Sequence, residues 1–173
     1  NLKNPGADPA AGRHAPPAAL NDHILTRYHA RHRRQLAELV QLARKVERVH
    51  GRRPDCPAGL ADHLAAMQQE LESHMQKEEQ VLFPMLARGF PPVVRGPIAA
   101  MRMEHELHDQ ALRQLHALTR GNTLPPDACG TWHALYDGIA EFRDDLLQHI
   151  ALENEVLFKG PDMDNEASET RRG

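Results

Sequence analysis

The stretch SHMQKEEQVLF (residues 73–83) returns seventy-five residues later as QHIALENEVLF (residues 148–158), so the chain writes His-x-x-x-Glu-x-x-Val-Leu-Phe twice. On a helix, an i, i+4 spacing projects both side chains from one face. Each pair continues a stripe of apolar residues at alternating spacings of three and four, the pattern of a helix packing one face into a bundle. The first copy lies on Leu60, Leu64, Met67, Leu71, His74, Glu78, Val81 and Met85, the second on Trp132, Leu135, Ile139, Phe142, Leu146, His149, Glu153 and Val156. Two more stripes, Leu25, His29, His32, Leu36, Leu39, Ala43, Val46 and Ile98, Met101, His105, His108, Leu112, Leu115, are apolar except for two adjacent histidines each.

Segments rich in Gly and Pro at 51–59, 88–97 and 120–128 separate predicted helices over 22–50, 58–87, 97–119 and 127–158. Short connections make sequential helices antiparallel, which gives an all-α, up-down-up-down four-helix bundle. HARHRRQLAEL (29–39) aligns with HELHDQALRQL (105–115) at an offset of seventy-six, so the whole hairpin is duplicated. Counting from the loops at about 1.5 Å per residue places the polar exceptions within a turn or two of one height. Residues 1–20, rich in Pro and Ala and without periodicity, read as a flexible linker or tail, 21–158 as the bundle domain, and the polar 159–173 as a disordered tail. Met67, Met75, Met85, Met101 and Met103 read as core filler, and His14, His23, His63, His116 and His133 as surface or ordinary packing residues. His50 falls roughly 30 Å along the helix from His29, far from the layer.

The 173 residues carry a net charge of −3, which gives no electrostatic reason for a nucleic-acid or anionic-membrane partner. No apolar run reaches the roughly 20 residues of a membrane span, and the N-terminal stretch has no signal-peptide pattern, so a cytoplasmic protein is expected. Cys56 and Cys129 each stand alone, at or beside the segments that separate the predicted helices, and read as free thiols. Against one Trp, two Tyr and four Phe, twelve histidines are an excess to be explained.

Buried without partners, several imidazoles and carboxylates would cost a few kcal/mol each, comparable with the stability of a small domain, whereas a bound cation compensates them together. A single inward His is ordinarily a hydrogen-bonded core residue, and a single His/Glu pair is ordinarily an exposed ion pair. Core positions at one height, repeated by duplication, favour metal instead: His29, His74, Glu78, His105, His149 and Glu153. His32 and His108, one turn on, are extra ligands or residues that orient ligands. Glu70 and Glu104 are either solvated charges or a weak-ligand path for a cation. Imidazole with carboxylate suits Fe, Zn or Mn, and the lack of thiolates argues against an iron–sulfur cluster.

RYHARHRRQLAEL, KVERVHG, SHMQKEEQVLFPM, MRMEHE, ACGTWHALYDGI and DDLLQHIALENEVLF together resemble the haemerythrin-like domain, and most closely that of the Repair of Iron Centers di-iron proteins. These segments span nearly all of residues 21–158. The resemblance implies two iron ions in a non-haem, carboxylate-bridged centre that includes a bridging oxygen species. His29, His74, His105 and His149 would be terminal ligands, and Glu78 and Glu153 the bridges. It further implies a role in nitrosative and oxidative stress: binding nitric oxide, or supplying iron to iron–sulfur proteins whose clusters are damaged. Members of that family begin with a small domain carrying a Cys-Cys pair; this sequence has no such pair, and its Pro/Ala-rich start looks like an interdomain linker, so that domain is expected to be missing.

Three other functions compete. Haemerythrin-type carriers or sensors bind dioxygen at an asymmetric site holding five His, whereas the duplication here points to a more symmetric one. A di-iron reductase of nitric oxide or peroxide needs an open coordination position on each metal. A structural zinc bundle would be colourless and without redox chemistry.

Overall fold

A computed structural model describes residues 15–160, and within them the chain forms four long helices and no strand. The N-terminal 1–14 and the C-terminal 161–173, both expected to be tails, lie outside the described residues. Helix α1 joins Pro17–Ile24, a π-helical turn Leu25–His29 and Ala30–His50. Helix α2 joins Leu60–Lys77, a π-helical turn Glu78–Leu82 and Phe83–Ala87; α3 is Arg95–Leu118, entered through a 3₁₀ turn at Pro92–Val94. Helix α4 is Gly130–Leu152 continued by a π-helical turn Glu153–Leu157.

Helix α1 starts at Pro17 rather than near residue 22. The sequence pattern treats Pro16 and Pro17 as breakers, yet Pro16 is the extended N-cap and Pro17 opens the helix, where its missing N–H costs nothing. Leu20 and Asn21 are buried as a result, and Asn21 Nδ2 donates to the Phe83 carbonyl at 3.0 Å, tying α1 to α2. Helix α4 starts at Gly130 rather than 127, because Cys129 is extended.

The register of α2 departs from the expected stripe beyond Glu78. Val81 is 51% exposed, while Leu82, Phe83 and Leu86 are buried. The cause is the π turn, in which the Phe83 N–H reaches back five residues to the Glu78 carbonyl and so inserts one residue into the helix. The same i+5 bond runs from Phe158 to Glu153 and from Ala30 to Leu25, whereas no π-helical turn interrupts α3. Of the five methionines read as core filler, Met67, Met75 and Met101 are buried and Met85 is partly so; Met103 is 68% exposed and is not core.

The core is divided. One apolar cluster, with Leu36, Leu64, Trp132 and Phe142 among its members, fills the half toward the α1–α2 loop. A second, with Ile24, Leu82, Phe83, Ile98, Leu157 and Phe158, fills the other half. Between them lies a layer of buried His and Glu. Helix α1 packs closely on both α2 and α4, whereas α3 packs on α2 and touches α4 only lightly. Asp145 of α4, nearly buried, draws in Arg27 and Arg31 of α1 at 3.0 Å each and Gln35 at 2.8 Å, which locks those two helices beside the polar layer.

Candidate metal centre

His29 comes from the π turn of α1, His74 and Glu78 from α2, His105 from α3, and His149 and Glu153 from α4. All six are buried, none more than 2% exposed. Their donor atoms fall into two groups, His29, Glu78, His149, Glu153 and His74, Glu78, His105, Glu153, and within each group the atoms lie within 4.8 Å of one another. Glu78 and Glu153 belong to both. Two cation positions sharing two carboxylates is the arrangement expected of a bridged pair, and each position draws one histidine from either hairpin.

The donor atoms crowd one another and only some of them pair: His29 Nε2 meets Glu78 Oε1 and His149 Nε2 meets Glu153 Oε2 at 2.9 Å. Glu78 Oε1 lies 3.1 Å from His29 Nε2 and 3.2 Å from His74 Nε2, and Glu153 Oε1 lies 2.8 Å from His105 Nε2 and 3.9 Å from His74 Nε2. Even so, His74 Nε2, His105 Nε2, Glu78 Oε2 and Glu153 Oε1 have no hydrogen bond of acceptable alignment. Four buried polar atoms in one layer, close together yet misaligned, are the signature of side chains aimed at a shared centre; left without a cation they would carry a heavy desolvation penalty. The residues therefore fit a metal pair, and the donor set of imidazole and carboxylate suits Fe, Zn or Mn.

Outward of this layer, every inward histidine is held through its other nitrogen. His29 Nδ1 is 2.7 Å from Glu79, His74 Nδ1 is 3.1 Å from Glu104, and His105 Nδ1 is 2.8 Å from Asn154 Oδ1. These oxygens only accept, so each Nδ1 donates outward and each Nε2 is the nitrogen turned toward the layer. His149 Nδ1 is 3.0 Å from His32 Nε2, and His32 Nδ1 is 3.4 Å from Gln35 Oε1. The same direction of donation runs through that chain. Arg33 neutralises Glu79 at 2.9 Å and Lys77 neutralises Glu104 at 2.5 Å.

His32 and His108 belong to neither group. Burial, then the neighbouring His149, pulls the His32 pKa down to about 2, so it acts as a neutral relay. Burial, then His74, pulls His108 down to about 3; its ring stands edge-on to His74 with centroids 4.8 Å apart. Glu104 reaches the layer through His74, whereas Glu70 is exposed one turn earlier on α2 and has no side-chain partner among the described residues. His50 lies at the far end of α1, against Cys129 and Trp132.

Sequence reasoning passed over Glu79, Asn154, Phe83, Phe158 and Tyr28. Phe83 stacks on His29 and Phe158 on His105, each with ring centroids 5.6 Å apart, and Tyr28 stacks on His149 at 5.1 Å. The signal was present in the repeat. Glu79 and Asn154 follow the two glutamates directly, and Phe83 and Phe158 close the two motifs. Each copy thus supplies a His and a Glu to the layer, and then a hydrogen-bond acceptor and a ring for the histidine of the preceding helix.

An open groove of ≈ 440 Å³ lies along the loose α3–α4 seam, lined by Glu106, Asp109, Gln110, Arg113, Leu147 and Ile150, and it reaches His105 and Asn154. No helix among the described residues is long and apolar enough to cross a membrane.

A family model described as the Hemerythrin HHE cation binding domain matches residues 20–159. The chain is 52% identical over 146 residues to the "Iron-sulfur cluster repair protein YtfE" of Citrobacter koseri, covering 84% of this chain and 66% of that protein. It is 51% identical over 146 residues to proteins of the same name in Escherichia coli O157:H7 and Escherichia fergusonii, with the same coverage. The chain thus spans 66% of the length of these curated relatives. With its four helices, its two cation groups and this match over 20–159, the chain belongs to the haemerythrin HHE cation-binding family.

Proposed function

We propose that this chain is the di-iron domain of an iron–sulfur cluster repair protein of the nitrosative and oxidative stress response. In this reading it holds two non-haem irons, one on His29 and His149, the other on His74 and His105, with Glu78 and Glu153 shared, and it binds nitric oxide or gives up iron to damaged iron–sulfur proteins. The observation that carries it is the pair of cation groups with both carboxylates in common. The name of these relatives adds the destination, cluster repair.

Iron bound there would supply redox chemistry and positions open to small ligands. The chain's own part is to hold and orient. Glu79, Glu104, Asn154 and His32 fix the four imidazoles, and the apolar clusters on either side keep bulk water from the layer. We assign Glu104 and the exposed Glu70 to passage of the ion held by His74 and His105. The chemistry belongs in the cytoplasm, with which the two free thiols accord.

The experiment is metal content per chain on freshly purified protein, with optical spectra before and after anaerobic nitric oxide, followed by incubation with a cluster-damaged iron–sulfur protein. Two irons, charge-transfer bands and a nitrosyl spectrum support the di-iron reading, and zinc or no metal overturns it. Restoration of the damaged protein above a free-iron control supports donation. The dioxygen-carrier reading is disfavoured by the symmetry of the groups, two histidines each with His32 and His108 outside both.

A further inference from the structure

The end of the bundle remote from the metal layer carries a second cluster of chemically capable side chains. His50 is the last residue of α1, and Cys129 stands immediately ahead of α4. Their side chains meet, His50 Nε2 lying 3.3 Å from Cys129 Sγ. The imidazole is held in place: its ring stacks on Trp132 with centroids 5.1 Å apart. The Arg53 guanidinium lies over the Trp132 ring at 5.3 Å and is itself pinned by Asp55 and Asp127, each at 2.8 Å. A nucleophile in hydrogen-bond reach of a base, with the base oriented by a third group, is the arrangement that activates a thiol. The sulfur is also carried by the N-cap residue of a 23-residue helix, whose unpaired N–H groups favour negative charge. Both side chains are partly exposed.

We propose that Cys129 and His50 form a nucleophilic pair that exchanges with small soluble disulfides, making Cys129 a site of reversible mixed-disulfide modification. In the forward step the Cys129 S–H bond breaks and its proton passes to His50 Nε2. Cys129 Sγ bonds to one sulfur of the disulfide, and the S–S bond of the reagent breaks. The second sulfur leaves with the electron pair as a thiolate, so Cys129 is oxidised and the departing half reduced. A second small thiol reverses the step.

Cys56, in the α1–α2 loop, is an internal control. It is equally part-exposed, but burial and the carboxylates of Glu47 and Asp55 push its thiol above the usual range. Its sulfur makes no hydrogen bond among the described residues.

The test uses the full chain as purified and a water-soluble aromatic disulfide that releases a coloured thiolate, with reaction followed in the wild type and in Cys56→Ser, Cys129→Ser and His50→Gln. The expected result is a fast phase of one thiol per chain that survives in Cys56→Ser, is absent from Cys129→Ser and slows by about tenfold or more in His50→Gln. Per thiol, folded Cys129 should also outpace the same chain unfolded in urea, a comparison that needs no variant to fold. Equal rates at the two cysteines, an unchanged rate in His50→Gln, or a folded rate below the unfolded one would each overturn the proposal.

Discussion

Each of the four inward histidines commits Nδ1 to a neighbour and keeps Nε2 for the layer, so the neighbours set how well an ion is held. Asn154→Ala removes the acceptor from His105, and Glu79→Ala removes that from His29. Either change should weaken ion retention by about 10–100-fold, read as faster loss to a chelator with the circular dichroism of the bundle unchanged. Protons compete for the same layer. In the metal-free chain burial opposes charge on His74, but Glu153 and Glu78 outweigh it and hold its pKa up to about 10. A raised imidazole stabilises the fold fully below its ordinary value near 6.5, and that contribution is lost as pH rises through about 10. Glu153 works in the opposite sense: its histidines overcome burial and hold it well below the usual carboxylate range, so its contribution is full above its ordinary value near 4.5 and is lost progressively as pH falls below it. Denaturant titrations of metal-free protein should therefore show stability falling from about pH 6.5 to about pH 10. Ion affinity should strengthen over the same window, as the proton to be displaced from His74 becomes easier to remove.

At the scale of the helix, the π turns place the ligands. The sequence stripe located Glu78 and Glu153 correctly on the inward face, because up to those residues the helices are α-helical and their 3.6-residue period is visible. Beyond Glu78 the same arithmetic put Val81 inward and missed Leu82 and Phe83, since an inserted residue leaves no trace in an apolar pattern as dense as VLFPML. In α4 the run Val156, Leu157, Phe158 is buried throughout, which hides the shift altogether. Deleting the exposed Val81 takes out the insertion and leaves Leu82, Phe83 and Leu86 on the core side. The expected outcome is an unchanged helical content with a loss of bound metal, measured by circular dichroism and elemental analysis. Loss of helicity instead would mean that the turn serves the bundle rather than Glu78. The start of α1 was illegible for a different reason, Pro being both a breaker and the residue best suited to the first helical position.

Across the molecule, antiparallel order and duplication were legible because they rest on loop spacing and on an offset repeated in both helices of a hairpin. Which histidines share an ion was not, because lateral neighbours in a bundle leave no mark on a one-dimensional pattern. Each of the two candidate cation groups draws on both hairpins, so in the proposed reading neither hairpin holds an ion alone. Metal removal should accordingly loosen the association of the halves, lowering stability by roughly 3–4 kcal/mol for each ion at concentrations 100–1,000 times Kd, as read from denaturant midpoints with and without chelator. The loose α3–α4 seam adds an inequality that the pseudo-symmetry hides. Its groove ends on His105, while His29 and His149 sit behind the tightly packed α1–α4 contact stapled by Asp145. One berth thus faces a doorway and the other a wall. Unloading should be sequential, a biphasic chelation trace whose first phase is one ion per chain, and Arg113→Glu at the rim of the groove should change the first rate and spare the second. A carrier built this way can hand over one ion and keep the other as the pin that holds its two halves together.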